Sequence, residues 1–261
     1  MNIDFDACLV GSSSYDTVVG DWWSDRAEDS AHKKAYARIA EAIRKHCGIF
    51  EQIVDYACGN GQLLAALHKV FPHAHLIGYD GSSKMISRAK ALVGSAATLR
   101  KTALPNSSLP AHYADVVVFA FPNLYLEDES AKNHSLERAA ARLLSTPSPE
   151  DTDSQRSIFE GLIEERMITR NLWHLCKPGR WCVRVTYAGA SLRGLSRIEQ
   201  RRTRFEQGYA TTVAGKKVPR YFSLHKSVFY RSQVIHDVYH QTKDKQDKSG
   251  GYFINFLRAL P

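Results

Sequence analysis

The sequence predicts an α/β fold, a mostly parallel sheet with helices on both faces. Three observations point to it. Strand-like and helix-like segments alternate from residue 53 to residue 121. The first apolar run, IVDYA, passes at once into a glycine turn, CGNG, and then into a helical pattern. DVVVFAF, at 115–121, has the unbroken apolarity of a strand buried on both sides. Strands alternating with helices form βαβ units, whose crossovers make the strands parallel.

Taken in order, a helix is expected from about Arg26 to Cys47, with Ala31, Ala35, Ile39, Ala42 and Ile43 at helical spacing. Ile53–Ala57 is the first strand, and Gln62–Val70, with Leu63, Leu64, Leu67 and Val70 on one face, the next helix. His75–Tyr79 is a strand and Ser83–Val93 a helix opened by Ser82 or Ser83 as N-cap. A short strand at Thr98–Lys101 precedes the buried one. From Pro122 to Ser157 a polar, proline-containing stretch leaves the core. Helix resumes over Ile158–Cys176 until KPG breaks it, and Arg180–Tyr187 alternates like a strand. A basic helix at about 192–207, a hairpin around Ala214–Lys217, a helix at about 231–241 and a strand at Gly251–Leu257 complete the chain.

Hydrophobic residues are 44% and charged residues 24%, an ordinary globular composition that excludes a wholly disordered chain. No apolar run approaches the roughly 18 residues of a membrane helix. The opening MNIDFDACLV carries acidic residues where a signal peptide is basic, so a cytoplasmic protein with no membrane partner is expected. Five scattered cysteines without CxxC spacing suggest neither a disulfide framework nor a metal site. The net charge of +8 is concentrated: between Arg193 and Arg231 stand ten basic residues against two acidic ones, so the rest of the chain is neutral overall.

Gly59 and Gly61 lie between a strand and a helix start, where bare backbone and unpaired N–H groups can cradle a small polar ligand. Asp80 ends the next strand, 19 residues after Gly61, in position to accept hydrogen bonds from a ribose diol. A nucleoside-containing cofactor follows from the pair.

VDYACGNGQLLAAL, IGYDGSSKMISRAKA, YADVVVFAF and LWHLCKPGRWCVRV resemble, in order, the signature segments of class I S-adenosylmethionine-dependent methyltransferases of the small-molecule type. The resemblance covers about residues 50–187. It implies a Rossmann-like, mostly parallel seven-stranded sheet with an antiparallel strand, and S-adenosylmethionine as cofactor. It places Asp55, Ala57, Gly59 and Gly61 around the methionine part and Asp80 on the ribose. Gly81 and Met85 flank the adenine, Ala103 meets its amino group, and Phe119 with Ala120 lies beneath the sulfonium. Ala57 stands where the family most often has Gly, a change expected to cost little, and Thr102 where it often has Asp. YDTVVGDWW, at 15–23, resembles the entry segment of small-molecule members that folds over the cofactor.

These readings divide the chain into an N-terminal lid and helix (1–50), a cofactor core (51–187), a basic substrate-cap insertion after the fifth strand (188–231) and a C-terminal helix and strand (232–261). Tyr15, Asn123 and His225 are the candidate catalytic residues. Tyr125, Tyr187 and Arg201 are the candidate substrate contacts. Arg193, Arg197 and Arg201 share one face of a helix and suit an anionic acceptor, while the interleaved aromatics of 205–230 suit a flat one. FPNLY does not have the residue order of the NPPY motif found in enzymes that methylate nucleic-acid amino groups. The expected function is methyl transfer to N or O of a small metabolite, as in secondary metabolism. An RNA methyltransferase is the second reading, with nucleic acid as partner, and a non-catalytic binding protein of the same fold is the third.

Overall fold

The computed structural model describes residues 16, 18–102, 108–121, 168–188, 212–213, 216–217, 221–232 and 251–261. Two helices, α1 (Val18–Ala27) and α2 (Ser30–Cys47), precede the sheet. The single helix expected from Arg26 is broken here because Asp29 acts as N-cap of α2, its side chain accepting from the His32 amide at 2.7 Å. Then come β1 (Gln52–Tyr56), α3 (Gln62–Val70), β2 (His75–Asp80), α4 (Ser83–Val93), β3 (Thr98–Lys101) and β4 (Ala114–Ala120). Each lies within a residue or so of its expected span. Ser82 caps α4, accepting from the Met85 amide.

A further helix, α5, covers 168–175 and leads into β5 (Cys176–Ala188). KPG therefore lies inside the span of β5 rather than ahead of it. The strand accommodates it by a register shift opposite Ala114 and Val116. Asp115 anchors this excursion: Lys177 Nζ lies 2.8 Å and Arg180 Nε 3.7 Å from its carboxylate, which also accepts from the Gln52 amide at 3.1 Å.

β6 (Thr212–Val213) and β7 (Lys216–Lys217) pair antiparallel. β8 (Phe222–Arg231) and β9 (Gly251–Ala259) complete a seven-stranded sheet of order β3-β2-β1-β4-β5-β9-β8. β1 to β5 pair in parallel, whereas β9 runs antiparallel to both β5 and β8. This is the mixed seven-stranded sheet expected. One boundary needs correction: residues 222–231 are an edge strand of the main sheet, not the end of a cap insertion.

Two apolar layers enclose the sheet. Ile39 and Ile43 of α2 and Leu64 and Leu67 of α3 pack on Ile53, Val116, Val118, Val183 and Val185. On the other face Ile168, Leu172 and Leu175 of α5 pack on Val54, Tyr56, Val117 and Phe119. Fully burying one such side chain contributes about 1.5–3 kcal/mol, so the layers fix the strand ends that carry the site. No helix among the described residues is long and apolar enough to cross a membrane.

Candidate active site

The site forms where β1, β2 and β4 end. β1 delivers the chain into a turn in which Ala57, Gly59 and Gly61 all adopt positive φ, 65°, 53° and 84°. A Cβ on Gly59 would meet nothing within 4 Å, so the backbone there faces open space. Gly61 is needed for packing instead, since a Cβ would come within 3.0 Å of Ala89 on α4. Ala57 carries a side chain in a left-handed conformation, a strain of about 1 kcal/mol that the sequence reading did not anticipate.

Asp80 closes the turn from β2. Its Oδ2 accepts from the Gly59 amide and its Oδ1 from the Ser82 amide, each at 2.9 Å. One carboxylate thus ties the glycine turn to the start of α4. Burial raises its pKa while those amides pull it down. Asp55, on β1, is 1% exposed, and its Oδ2 has no hydrogen-bond partner among the described residues. Burial, and then the neighbouring Asp80, push its pKa up to about 8. Burial also raises the Cys58 thiol well above its ordinary range.

On β4, Ala120 is half-buried on the face that α2 and α3 cover. Phe119 alternates to the opposite face, its ring 5.8 Å from that of Tyr56. Of the pair, Phe119 can line the turn side only through its backbone. Met85 is buried, its sulfur 3.6 Å from Ser24 Oγ, and Gly81 is half-buried beside Asp80.

α1 is fastened across this region. Asn60 Nδ2 donates to the Ser24 carbonyl at 3.4 Å. Asp16 accepts from Ser82 Oγ at 2.6 Å and from the Lys84 amide at 2.9 Å. Asp21 pairs with Lys84 at 2.8 Å and with Arg88, which also donates to the Gly20 carbonyl.

The start of α2 adds groups that sequence reasoning missed. His32 is 2% exposed, with Nδ1 3.1 Å from Asp29 Oδ1 though not aligned as a hydrogen bond. Its ring meets Phe121 edge-on at 6.1 Å, and Tyr36 meets Phe121 at 5.9 Å. Phe121 in turn meets Tyr252 at 5.5 Å. Burial and the Asp55 charge raise the Tyr36 hydroxyl. The available signal was that positions 32 and 36 extend the buried stripe of Ile39 and Ile43 with polar rings.

His225 does not join the site. It lies exposed on β8 at the register shift between Leu224 and Lys226, its ring 5.2 Å from Trp181. Trp181 pairs with Val116 near the start of β4, so His225 sits at the sheet end opposite the turn. The backbone of Tyr187 pairs with Tyr252 on β9. Tyr15, Ala103, Asn123, Tyr125 and Arg201 lie outside the described residues, as do Arg193 and Arg197.

Residues 53–145 match the model of a methyltransferase domain, and the glycine turn, Asp80 and β4 all fall within the match. No curated protein matches the sequence at a significant level. Solved structures share the fold. The N-methyltransferase NodS from Bradyrhizobium japonicum WM9, in complex with S-adenosyl-L-homocysteine, aligns with a TM-score of 0.51 at 14% identity, over 98% of this chain and 96% of that one. The [4+2]-cyclase SpnF aligns at 0.56 with 11% identity, over 95% of each chain. A Haloferax volcanii complex containing the Trm112 methyltransferase activator aligns at 0.55 with 12% identity, over 97% of this chain and 100% of that one. Because one of these neighbours is a cyclase, architecture alone does not name the reaction. The domain match is the more specific finding: residues 53–145 match a methyltransferase domain, for which S-adenosylmethionine is the expected cofactor. The site residues fit that cofactor. Open space over Gly59, a fixed carboxylate at Asp80 and a buried carboxyl oxygen at Asp55 offer places for a ligand backbone, a diol and an ammonium group.

Proposed function

We propose that the enzyme transfers a methyl group to a nitrogen or oxygen of a small metabolite, flat or anionic, of the kind met in secondary metabolism. In this reading Asp80 accepts the ribose hydroxyls, and Asp55, Ala57, Gly59 and Gly61 line the methionine part. Gly81, Met85 and Ala103 border the adenine, and Ala120 with the Phe119 backbone lies below the sulfonium. The observation that carries the reading is the double amide anchorage of Asp80, which presents a rigid carboxylate beside a bare turn.

The bound cofactor supplies an activated methyl group on a good leaving group. The protein's part is to align the acceptor, exclude water and take up a proton. His32, Tyr36 and Phe121 are proposed to wall the acceptor side, which suits a flat substrate. Support for a small acceptor comes from α1, whose hydrogen bonds to Asn60 and α4 cover the turn side of the cofactor region. Residues 188–221 remain the proposed cap, with Tyr187, Arg201 and Tyr125 as its substrate contacts and Tyr15 and Asn123 as positioning groups.

The test is methyl transfer from labelled S-adenosylmethionine to panels of amines, phenols and carboxylates, with bulk RNA alongside. Transfer to a small acceptor that is insensitive to salt is expected. Labelled RNA, lost steeply as salt rises, would overturn the small-acceptor reading.

A further inference from the structure

Asp55 is a buried carboxyl group on β1. Its Oδ2 is buried without a hydrogen-bond partner among the described residues. The turn presents the Cys58 thiol and the end of β2 presents Asp80. α2 presents Tyr36, with His32 and Asp29 nearer the helix start. The end of β4 contributes only the apolar Phe121. Of these groups His32 alone can become a cation.

Asp80 differs from Asp55 in kind, because both of its oxygens accept backbone amides. A buried carboxyl beside a second, ionised one resists ionising without a cation between them. The amide-bonded one keeps the charge and the other keeps the proton. A pKa near 8, raised first by burial and then by Asp80, agrees with that division.

We infer that Asp55 is protonated in the ligand-free site and releases its proton when a ligand places an ammonium group beside it, so that the amino-acid end of the cofactor makes binding proton-linked. This rests on the cofactor reading above and adds to it a dependence of cofactor capture on pH. The charge balance is simple: the proton passes to solvent, the ligand's ammonium keeps its own, and a carboxylate–ammonium pair forms. The ligand selects the ionised form, so affinity rises with pH until the carboxyl is fully titrated. With half-titration near pH 8, the competent fraction makes affinity at pH 6 about fifty-fold weaker than at pH 8.

Calorimetry on the full chain tests this at pH 6, 7 and 8, each in two buffers of different ionisation enthalpy. The probes are S-adenosylhomocysteine and 5′-methylthioadenosine, which keeps the nucleoside and sulfur but lacks the amino acid. S-adenosylhomocysteine should release about one proton at pH 7 and bind more tightly as pH rises. Methylthioadenosine should release none and show a flat profile. Asp55→Asn should flatten the S-adenosylhomocysteine profile, and His32→Gln should leave it intact. The inference falls if the wild type binds S-adenosylhomocysteine without proton release, if methylthioadenosine releases as much, or if His32→Gln abolishes the linkage. No binding of S-adenosylhomocysteine at any pH would instead overturn the cofactor reading itself.

Discussion

Replacing Asp80 with alanine should damage stability and ligand binding together, by amounts that can be worked out. The carboxylate accepts the Gly59 and Ser82 amides at 2.9 Å each, and both donors lose their acceptor when it is removed. Leaving a buried donor unpaired costs about 1–3 kcal/mol. Water entering the space left by the side chain recovers part of this, so a net loss of about 2–3 kcal/mol is expected. For a chain of this size that lowers the melting temperature by roughly 5–10 °C. Affinity for S-adenosylhomocysteine should fall at least thirty-fold, on the order of 2 kcal/mol, because the ribose diol loses its acceptor and the turn its anchor. Asp80→Asn, which keeps one acceptor oxygen, should recover part of the stability and less of the affinity. Thermal unfolding with and without S-adenosylhomocysteine, followed by calorimetry, measures both. Wild-type affinity in Asp80→Ala would refute the reasoning, whatever the stability.

Three further outcomes are expected. Ala57→Gly should raise the unfolding free energy by about 1 kcal/mol by relieving the left-handed alanine at φ 65°; a loss in denaturant melts would contradict that. Asp115→Ala should cost about 2 kcal/mol by freeing the Gln52 amide and Lys177. Lys177 and the amides of Gln52 and Glu51 outweigh burial and hold the Asp115 pKa below its ordinary value. Its contribution is therefore full above the unfolded carboxyl pKa and fades as pH falls through the lower folded one. The mutant should lack that acid-limb decline in urea melts, and an unchanged decline would count against the assignment. Asp21→Ala should speed proteolysis within Val18–Ala27, because Lys84 and Arg88 lose their partner on α1, while the core's urea midpoint stays put; equal cleavage rates would show that these pairs do not hold α1.

The turn and the strands β1, β2 and β4 were legible because their signals are local. IVDYA, HLIGY and DVVVFAF are apolar runs that end at glycine, aspartate or loop residues, and a buried parallel strand needs little else to show itself. β8 escaped notice because it is an edge strand: SLHKSVFYR is largely half-exposed and follows no clean alternation. The break at Asp29 was hidden because RAEDSAHKK holds neither glycine nor proline, and an aspartate N-cap between two helices reads like one continuous helix. His225 misled through its place in the chain, which suggested a hairpin at the carboxyl edge of the sheet, whereas β8 carries it to the opposite end beside Trp181. The contacts of Ser24, Asp16 and Asp21 with the cofactor side span 36 to 68 residues of sequence. No local pattern encodes such pairings. For His32 and Tyr36 the helical stripe shared with Ile39 and Ile43 signals an inward face, but not that the first turns of α2 overlie the ends of β1 and β4.

A crystal structure of the S-adenosylhomocysteine complex tests the central claim most directly. The account predicts the ribose hydroxyls on Asp80, the ammonium group at Asp55, and the sulfur facing a cavity walled by His32, Tyr36 and Phe121. A ligand bound away from the 57–61 turn, or a ribose without contact to Asp80, would contradict it.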